Sequence, residues 1–159
     1  MRRNERAITD HSEILQVIRR CDTCRLAFHG DEHPYIVPMS FGFEDTGGAL
    51  TLYFHCAVSG RKLELMARDA RVAFEMDAGH RLVMHGENAC SCTMEYESVM
   101  GTGTLAFVPD SEKEAALRRV MEHYYPGNTF PFEPRALPKT AVLRLSVDSL
   151  SAKRSPAPL

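Results

Sequence analysis

The stretch RLAFHGDEHPYIVPMSFGF, residues 25–43, decides the fold of this chain. Leu26 and Phe28 alternate with polar or small residues, and the same alternation of apolar side chains begins again at Tyr35 and continues to Phe43. A period of two residues is typical of strands with one buried face. The segment between the runs begins at Gly30 and is polar, as turns are. The stretch therefore predicts two antiparallel strands joined by a short turn, the second running over 35–43.

The residues on either side extend this hairpin into a larger sheet. Upstream, Asp10 and Glu13 have the spacing of a capping box, and apolar residues at helical spacing continue to Cys21, which predicts a helix over 12–20. Downstream, Gly101 and Gly103 interrupt a long alternating run and predict a bulge or barrel corner. The remaining periodicities predict strands near 50–54, 72–76, 81–85 and 142–147 and helices near 63–70 and 111–124.

A small antiparallel barrel of the mainly β class best accommodates six or seven strands that are mostly joined by hairpins and covered by three helices. The chain has 159 residues, which fits one domain. We predict a single domain over residues 1–154, followed by a loose tail, SPAPL, over 155–159.

Composition excludes several classes of protein. The 19 Lys and Arg residues nearly balance 21 Asp and Glu residues, which argues against a dedicated nucleic-acid binder. No apolar run approaches the roughly 18 residues of a membrane span. An odd number of cysteines, five, is more typical of free thiols in a reducing cytosol than of disulfides. We expect a cytoplasmic protein that binds neither nucleic acid nor membrane.

The most informative polar residues lie where a predicted strand meets a predicted helix: Ser59, Gly60, Arg61 and Lys62. A helix N-terminus offers unpaired N–H groups and partial positive charge, which favour a bound phosphate. Arg adds a bidentate fork and Lys a movable cation. The same residues are also typical of a solvated helix face, so the spacing alone leaves both interpretations open.

Six sequence segments, taken together in their order and spacing, resemble those of a known family. They are CRLA (24–27), PYIVPMSFGF (34–43), FHCAVSGRK (54–62), YESVMGTG (96–103), EK (112–113) and MEHY (121–124). In order and spacing they resemble the FMN-binding split-barrel proteins over roughly residues 20–154, and within them the Nim group of nitroimidazole-resistance proteins related to pyridoxamine 5'-phosphate oxidase. The resemblance implies a six- to seven-stranded antiparallel Greek-key split barrel with peripheral α-helices and FMN as cofactor.

The resemblance also implies where FMN binds. The phosphate would lie at the strand-to-helix corner, the flavin ring would lie against the strand over 37–40, and the strand around Tyr96 would come from the neighbouring subunit or lie beside the dimer seam. This gives a homodimer with two sites at its interface. The implied cofactor-binding residues are Val37, Pro38, Met39, Ser40, Phe54, His55, Ser59, Gly60, Arg61, Lys62, Tyr96, Ser98 and Val99. We expect contact with the flavin mostly through the backbone, and interpret Met39 and Phe41 as barrel interior.

One histidine and two cysteines need separate interpretation. His55 ends a strand beside the corner, and an imidazole can exchange a proton near neutral pH, so His55 is the candidate catalytic residue, with a structural histidine as the alternative. Cys21 and Cys24 have the CxxC spacing of zinc or redox sites, but Cys90 and Cys92 have an unusual gap for a second ligand pair. We predict no metal site and interpret Cys21 as core.

The leading functional hypothesis is an FMN-dependent oxidoreductase. It would take two electrons from a reduced nicotinamide or another small donor and pass them to a small acceptor, such as a nitroaromatic or a 5-nitroimidazole. The cofactor would supply the redox chemistry and the protein the binding and orientation. The alternative is a non-catalytic protein of the same fold that binds a flavin, a deazaflavin or haem, with His55 or a cysteine as the axial ligand of haem.

Overall fold

The computed structural model describes residues 4–155 and is built around one antiparallel sheet of eight strands. The strands are β1 Ala7–Ile8, β2 Cys24–Phe28, β3 Tyr35–Met39, β4 Phe41–Thr46, β5 Ala49–Ala57, β6 Arg71–Met84, β7 Cys92–Phe107 and β8 Thr140–Arg154. The α-helices are α1 His11–Arg20, α2 Arg61–Arg68 and α3 Asp110–Tyr124. Within residues 4–155, no helix is both long enough and apolar enough to cross a bilayer.

The order of the strands closes the sheet into a split barrel. It runs β3-β2-β6-β7-β8-β5-β4, and β1 pairs with β8 outside this path. The two ends of the order, β3 and β4, follow each other in sequence with only Ser40 between them, so the sheet must curl until its ends meet. This confirms the predicted mainly β barrel. The count of eight strands exceeds the predicted six to seven because β1, with two residues, has too little sequence pattern to be recognised.

Two predicted strand boundaries were wrong. The single strand expected over 35–43 breaks at Ser40, where pairing changes from β2 to β5. The separate strand expected near 81–85 is the end of β6, which continues through a register shift between Ala78 and Arg81. Alternation of apolar side chains is the same whether a strand continues or bends, so the pattern could not distinguish them. The bulge predicted around Gly101 and Gly103 is confirmed by a register shift between Thr102 and Gly103.

The barrel interior is filled by the inward-facing residues of the strands and by α1. The largest fully buried side chains are Phe28, Phe41, Phe54, Ile18, Leu26, Leu52, Met76, Leu143, Leu145, Val17, Val99 and Val142. On β8, Leu143 belongs to this interior, whereas Val142 packs in a smaller cluster beneath α3. The two faces of β8 therefore pack against two apolar layers.

Both ends of α1 are fixed by polar contacts. The Asp10 carboxylate accepts a hydrogen bond from the Glu13 N–H at 2.8 Å, as the capping pattern predicted. The Glu13 carboxylate binds Arg154 at 2.6 Å instead of returning to the helix cap. At the other end, the His123 imidazole is 2.7 Å from the Cys21 carbonyl. These contacts join α1 to β8 and α3. The predicted tail falls outside the described residues except for Ser155, whose N–H donates to the Tyr96 carbonyl at 2.8 Å.

Candidate functional site

The corner between β5 and α2, residues 59–62, has an open helix N-terminus. Gly60 occupies the cap position with φ of 135°, a conformation that favours glycine, and it has no side chain to cap the helix. The carbonyl of Gly60 accepts hydrogen bonds from the Leu63 and Glu64 N–H groups at 2.9 and 3.2 Å. The first N–H groups of a helix have no partners within it. The corner therefore offers backbone donors to an anion, as the sequence predicted.

Two cations stand at this open helix end. The Arg61 guanidinium lies 5.5 Å from the centre of the Tyr35 ring, and the Lys62 Nζ lies 3.5 Å from the Met39 Sδ. Among residues 4–155, neither cation forms an ion pair with a carboxylate. Both side chains contact β3, so the corner and β3 form one surface. Asp31 and Glu32 line a pocket with Arg61, but neither forms a direct ion pair with it.

β3 presents a mixed surface beside the corner. Met39 is buried in the core, which confirms its interpretation as barrel interior, while Val37 is half-buried. Pro38 and Ser40 are exposed. Within residues 4–155, β3 pairs only with β2, so its other edge leaves backbone N–H and C=O groups free for a ligand. A ligand on this surface would meet backbone groups and the exposed Pro38 and Ser40, while the Met39 side chain stays in the core.

His55 lies at the same end of the barrel. Phe41 of β4 pairs with Phe54 of β5. Ser40 precedes Phe41, and His55 follows Phe54. Ser40 and His55 are therefore neighbours at the end of this ladder, and both are exposed. The Phe54 side chain is wholly buried, so only its backbone is available to a ligand. The His55 side chain is on the outer face of β5 and borders a cavity beneath α3.

The predicted residues of β7 do not join the corner within one chain. β2 and β6 lie between β3 and β7, which places β7 about 14 Å from β3 across the sheet. Val99 is fully buried and Ser98 nearly so, whereas Tyr96 is half-buried with the Lys153 Nζ 5.3 Å from its ring centre. A role for this strand in the same site requires a second copy of the chain.

Three residues that the sequence did not single out shape this site. Tyr35 lies beneath Arg61. Cys56 is half-buried near Lys62, and burial raises the pKa of its thiol while the ammonium opposes that rise. The Tyr124 hydroxyl accepts the Phe41 N–H at 3.0 Å and donates to the Asp22 carbonyl at 2.7 Å, which fixes the break between β3 and β4. Tyr35 lies in the alternating strand, and Cys56 and Tyr124 lie in segments that carry the family resemblance, but none of these patterns indicated the contacts described here.

The CxxC pair is part of the core. Cys21 and Cys24 are both buried, and burial raises the pKa of the Cys21 thiol to about 12 and that of Cys24 still further. Such thiols remain protonated and unreactive at neutral pH. Cys21 packs with the core cluster, which confirms its interpretation. Among residues 4–155, no three His, Cys, Asp or Glu side chains are grouped as a metal site.

Comparisons with known proteins are consistent with this geometry. Residues 10–154 match a family model described as pyridoxamine 5'-phosphate oxidase. No curated protein matches the chain. A solved structure of a proposed 5-nitroimidazole antibiotic resistance protein from Bacteroides thetaiotaomicron VPI-5482 is 33% identical, with a TM-score of 0.79, over 93% of this chain and 86% of that chain.

Two further solved structures share the fold at lower identity. The flavocytochrome Anf3 from Azotobacter vinelandii is 20% identical with a TM-score of 0.80, over 99% of this chain and 73% of that one. The FAD and heme binding protein from Mycobacterium smegmatis is 22% identical with a TM-score of 0.80, over 96% of this chain and 74% of that one. Because the family model covers nearly the whole barrel and the Bacteroides protein aligns along almost its full length, the chain belongs to the pyridoxamine 5'-phosphate oxidase family.

Proposed function

We propose that this protein binds FMN with the phosphate at the corner of residues 59–62. The observation that carries the proposal is the pair of cations, Arg61 and Lys62, which have no carboxylate partner among residues 4–155 and stand at a helix N-terminus without a side-chain cap. A phosphate dianion would be held there by backbone donors, helix dipole and charge-assisted hydrogen bonds together. The flavin ring would then extend along β3 toward Ser40 and His55.

A homodimer completes the proposed site. Four large apolar side chains are exposed on the outward face of β6 and β7: Leu82, Met84, Met94 and Met100. Leu82 and Met94 are register partners, so they form one apolar surface. Pairing of this surface with a second copy would cover it and could bring the Tyr96 strand to the partner's corner. An obligate interface of this kind buries about 2,000 Å² or more of surface. A mass of 17.9 kDa in solution would be that of a monomer and would refute the dimer. Light scattering of the FMN-loaded protein tests this.

The proposed activity is electron transfer from a reduced nicotinamide or another small donor to a small acceptor. Bound FMN would supply the two-electron chemistry. His55 would supply a proton to the acceptor, because its side chain is exposed beside Ser40. The 33% identity to the Bacteroides protein supports a nitroaromatic or 5-nitroimidazole acceptor. Five cysteines without a disulfide support a reducing cytoplasm.

The test of cofactor binding is a titration with FMN followed by flavin fluorescence. Replacing both Arg61 and Lys62 by Ala removes two charge-assisted contacts of about 1.5–3 kcal/mol each, so the Kd should rise by about 10²–10⁴-fold. The matched control replaces Arg19 and Arg20, two adjacent cations at the end of α1, and should leave the Kd unchanged. An unchanged Kd in the corner variant would refute the assignment. A Soret band in place of flavin absorption would identify the haem-binding alternative.

The test of His55 separates catalysis from binding. With FMN bound, His55→Ala should slow reduction of a nitroaromatic by about 10²–10⁴-fold, the usual contribution of a proton donor. His55→Gln keeps a hydrogen-bond donor and should recover part of the rate with a flatter pH profile. Equal rates in all three proteins would make His55 structural and leave catalysis to the cofactor and its pocket alone.

A further inference from the structure

A small apolar cavity lies between α3, the end of β5 and the segment before β8. Its volume is about 210 Å³. The lining residues are His55, Leu117, Val120, Met121, Phe132, Glu133, Ala136, Leu137 and Thr140. The segment over 126–138 lies between α3 and β8 in the sequence. In the structure this segment folds back beside α3 and forms one wall of the cavity.

The walls are packed and almost wholly apolar. Leu117 and Val120 of α3 are buried, and Phe132 and Leu137 pack against the apolar cluster beneath the helix. The Arg118 guanidinium lies 5.3 Å from the centre of the Phe132 ring and covers its outer side. The cavity is thus bounded by a helix and a supported aromatic side chain.

The size and polarity of the cavity restrict what it can hold. A volume of about 210 Å³ is close to the roughly 150 Å³ of an apolar cavity that binds benzene and below the roughly 300–1,000 Å³ of pockets for larger ligands, so one substituted ring matches it best. Apolar walls give few hydrogen bonds to water, so an apolar ligand is favoured there. The single carboxylate among the lining residues, Glu133, disfavours an anionic ligand, and no Lys or Arg lines the cavity to attract one.

His55 connects this cavity to the proposed flavin surface. It lies at the cavity edge and is the neighbour of Ser40 at the end of β5. A ring in the cavity would therefore touch the imidazole on one side of β5, while the corner begins at Ser59, four residues further along the chain. The two positions share one end of the barrel.

We infer that this cavity binds a neutral, single-ring aromatic molecule, with His55 at its open edge. The role of that molecule as the electron acceptor rests on the proposed function, whereas its binding does not. Neutral nitroaromatic compounds have this chemistry, and anionic analogues of the same size would be excluded by Glu133 and the apolar walls. The cavity thus determines specificity by size and charge.

The experiment uses methyl NMR of the full-length protein labelled at the methionine methyl groups. Met121 lines the cavity, and Met100, exposed on the outward face of β7, serves as the reference. Nitrobenzene, the neutral probe, should shift the Met121 resonance and leave Met100 unchanged, with or without added FMN. The same concentrations of 4-nitrobenzoate should shift neither. No Met121 shift with nitrobenzene would overturn the inference.

Two variants make the result specific to the cavity. Ala136→Phe adds a ring at the rim and should weaken nitrobenzene binding at least tenfold, whereas Ala115→Phe, on an exposed position of α3, should not. Equal binding in both Phe variants would also overturn the inference. Failure of FMN binding with an intact Met121 shift would refute the proposed function alone.

Discussion

Two groups of cations in this protein differ in whether their charge is satisfied. Where α1 meets the sheet, the Glu97 carboxylate accepts hydrogen bonds from Arg20 at 2.7 Å and from Arg154 at 2.5 Å, and Arg154 also reaches Glu13. At the corner, Arg61 and Lys62 contact only an aromatic ring and a thioether. The first group holds the fold together. The second group consists of two cations that have no carboxylate partner among residues 4–155.

The pKa of Glu97, the carboxylate of the paired group, reflects this difference. Burial by itself would raise the pKa of Glu97, but the hydrogen bonds from Arg154 and Arg20 outweigh it, so the pKa is lowered. A charged carboxylate between two guanidinium groups is thus favoured in the native state. At the corner, the equivalent anion would have to come from a ligand. A single cation without a carboxylate is not diagnostic, since Arg19 also has no ion pair among residues 4–155 and lies 5.5 Å from the centre of the Phe43 ring. The corner differs because two such cations stand at a helix N-terminus.

The largest expected effect comes from replacing one of the two corner cations by a carboxylate. Lys62→Glu removes one cation and places a carboxylate in the first turn of α2, where it would repel a phosphate. FMN affinity should fall by about a hundredfold or more. Stability should stay equal or rise by about 0.3–1 kcal/mol, because a negative charge suits a helix N-terminus. Titration with FMN and thermal unfolding without it measure the two effects. Loss of stability together with affinity would contradict the comparison.

The opposite pattern is expected for the paired group. Glu97→Gln weakens the bonds from Arg20 and Arg154 and should lower the free energy of unfolding by about 1–2 kcal/mol, since both guanidinium groups are partly exposed. FMN affinity should not change. The pKa of Glu97 is lowered by folding, so its stabilisation is present above about pH 4.3 and is lost as the pH falls through the native pKa. Urea unfolding at pH 7 and pH 3 checks this: the difference between variant and parent should be smaller at the lower pH.

A smaller, pH-dependent effect is expected at the other end of α1. Burial lowers the pKa of His123, although its hydrogen bond to the Cys21 carbonyl acts in the opposite direction. The unfolded chain takes up a proton at this histidine below about pH 6.5 while the native chain resists it, so stability falls as the pH falls. Between pH 7.5 and pH 5.5, the Tm of the parent should drop more than that of His123→Gln. Parallel curves would show that His123 does not titrate differently on folding.

The smallest effect is expected for a paired cation on the same helix as the corner. Arg68 binds Asp31 at 2.7 Å, and both side chains are about two-thirds exposed. Surface pairs of this kind contribute little, so Arg68→Ala should change the free energy of unfolding by less than about 0.5 kcal/mol. Its FMN affinity should stay within twofold of the parent. A larger loss of affinity would mean that general positive charge on α2, rather than the corner, attracts the flavin.

Much of the barrel could be predicted because its signals are local. Strand alternation identified β2, β5 and the two faces of β8, and helical spacing identified α1 and α2 within one or two residues. The candidate corner could also be predicted, since Gly60, Arg61 and Lys62 are adjacent in sequence and their meaning depends on one strand-to-helix junction. What was missed required distant partners. The Tyr124 hydroxyl meets Phe41 across 83 residues, and no periodicity encodes that contact.

The sequence by itself indicated most of the strands and helices, showed which side chains are apolar enough to fill a barrel, and singled out residues 59–62 as a candidate phosphate site. These follow from residue spacing and from the chemistry of each side chain. Only the tertiary structure decided that the strand pattern breaks at Ser40, that Arg61 and Lys62 remain without carboxylate partners among residues 4–155, and that His55 borders a cavity beneath α3. Each of these depends on which distant segments are brought together by burial of the core, and that pairing is a property of the whole chain.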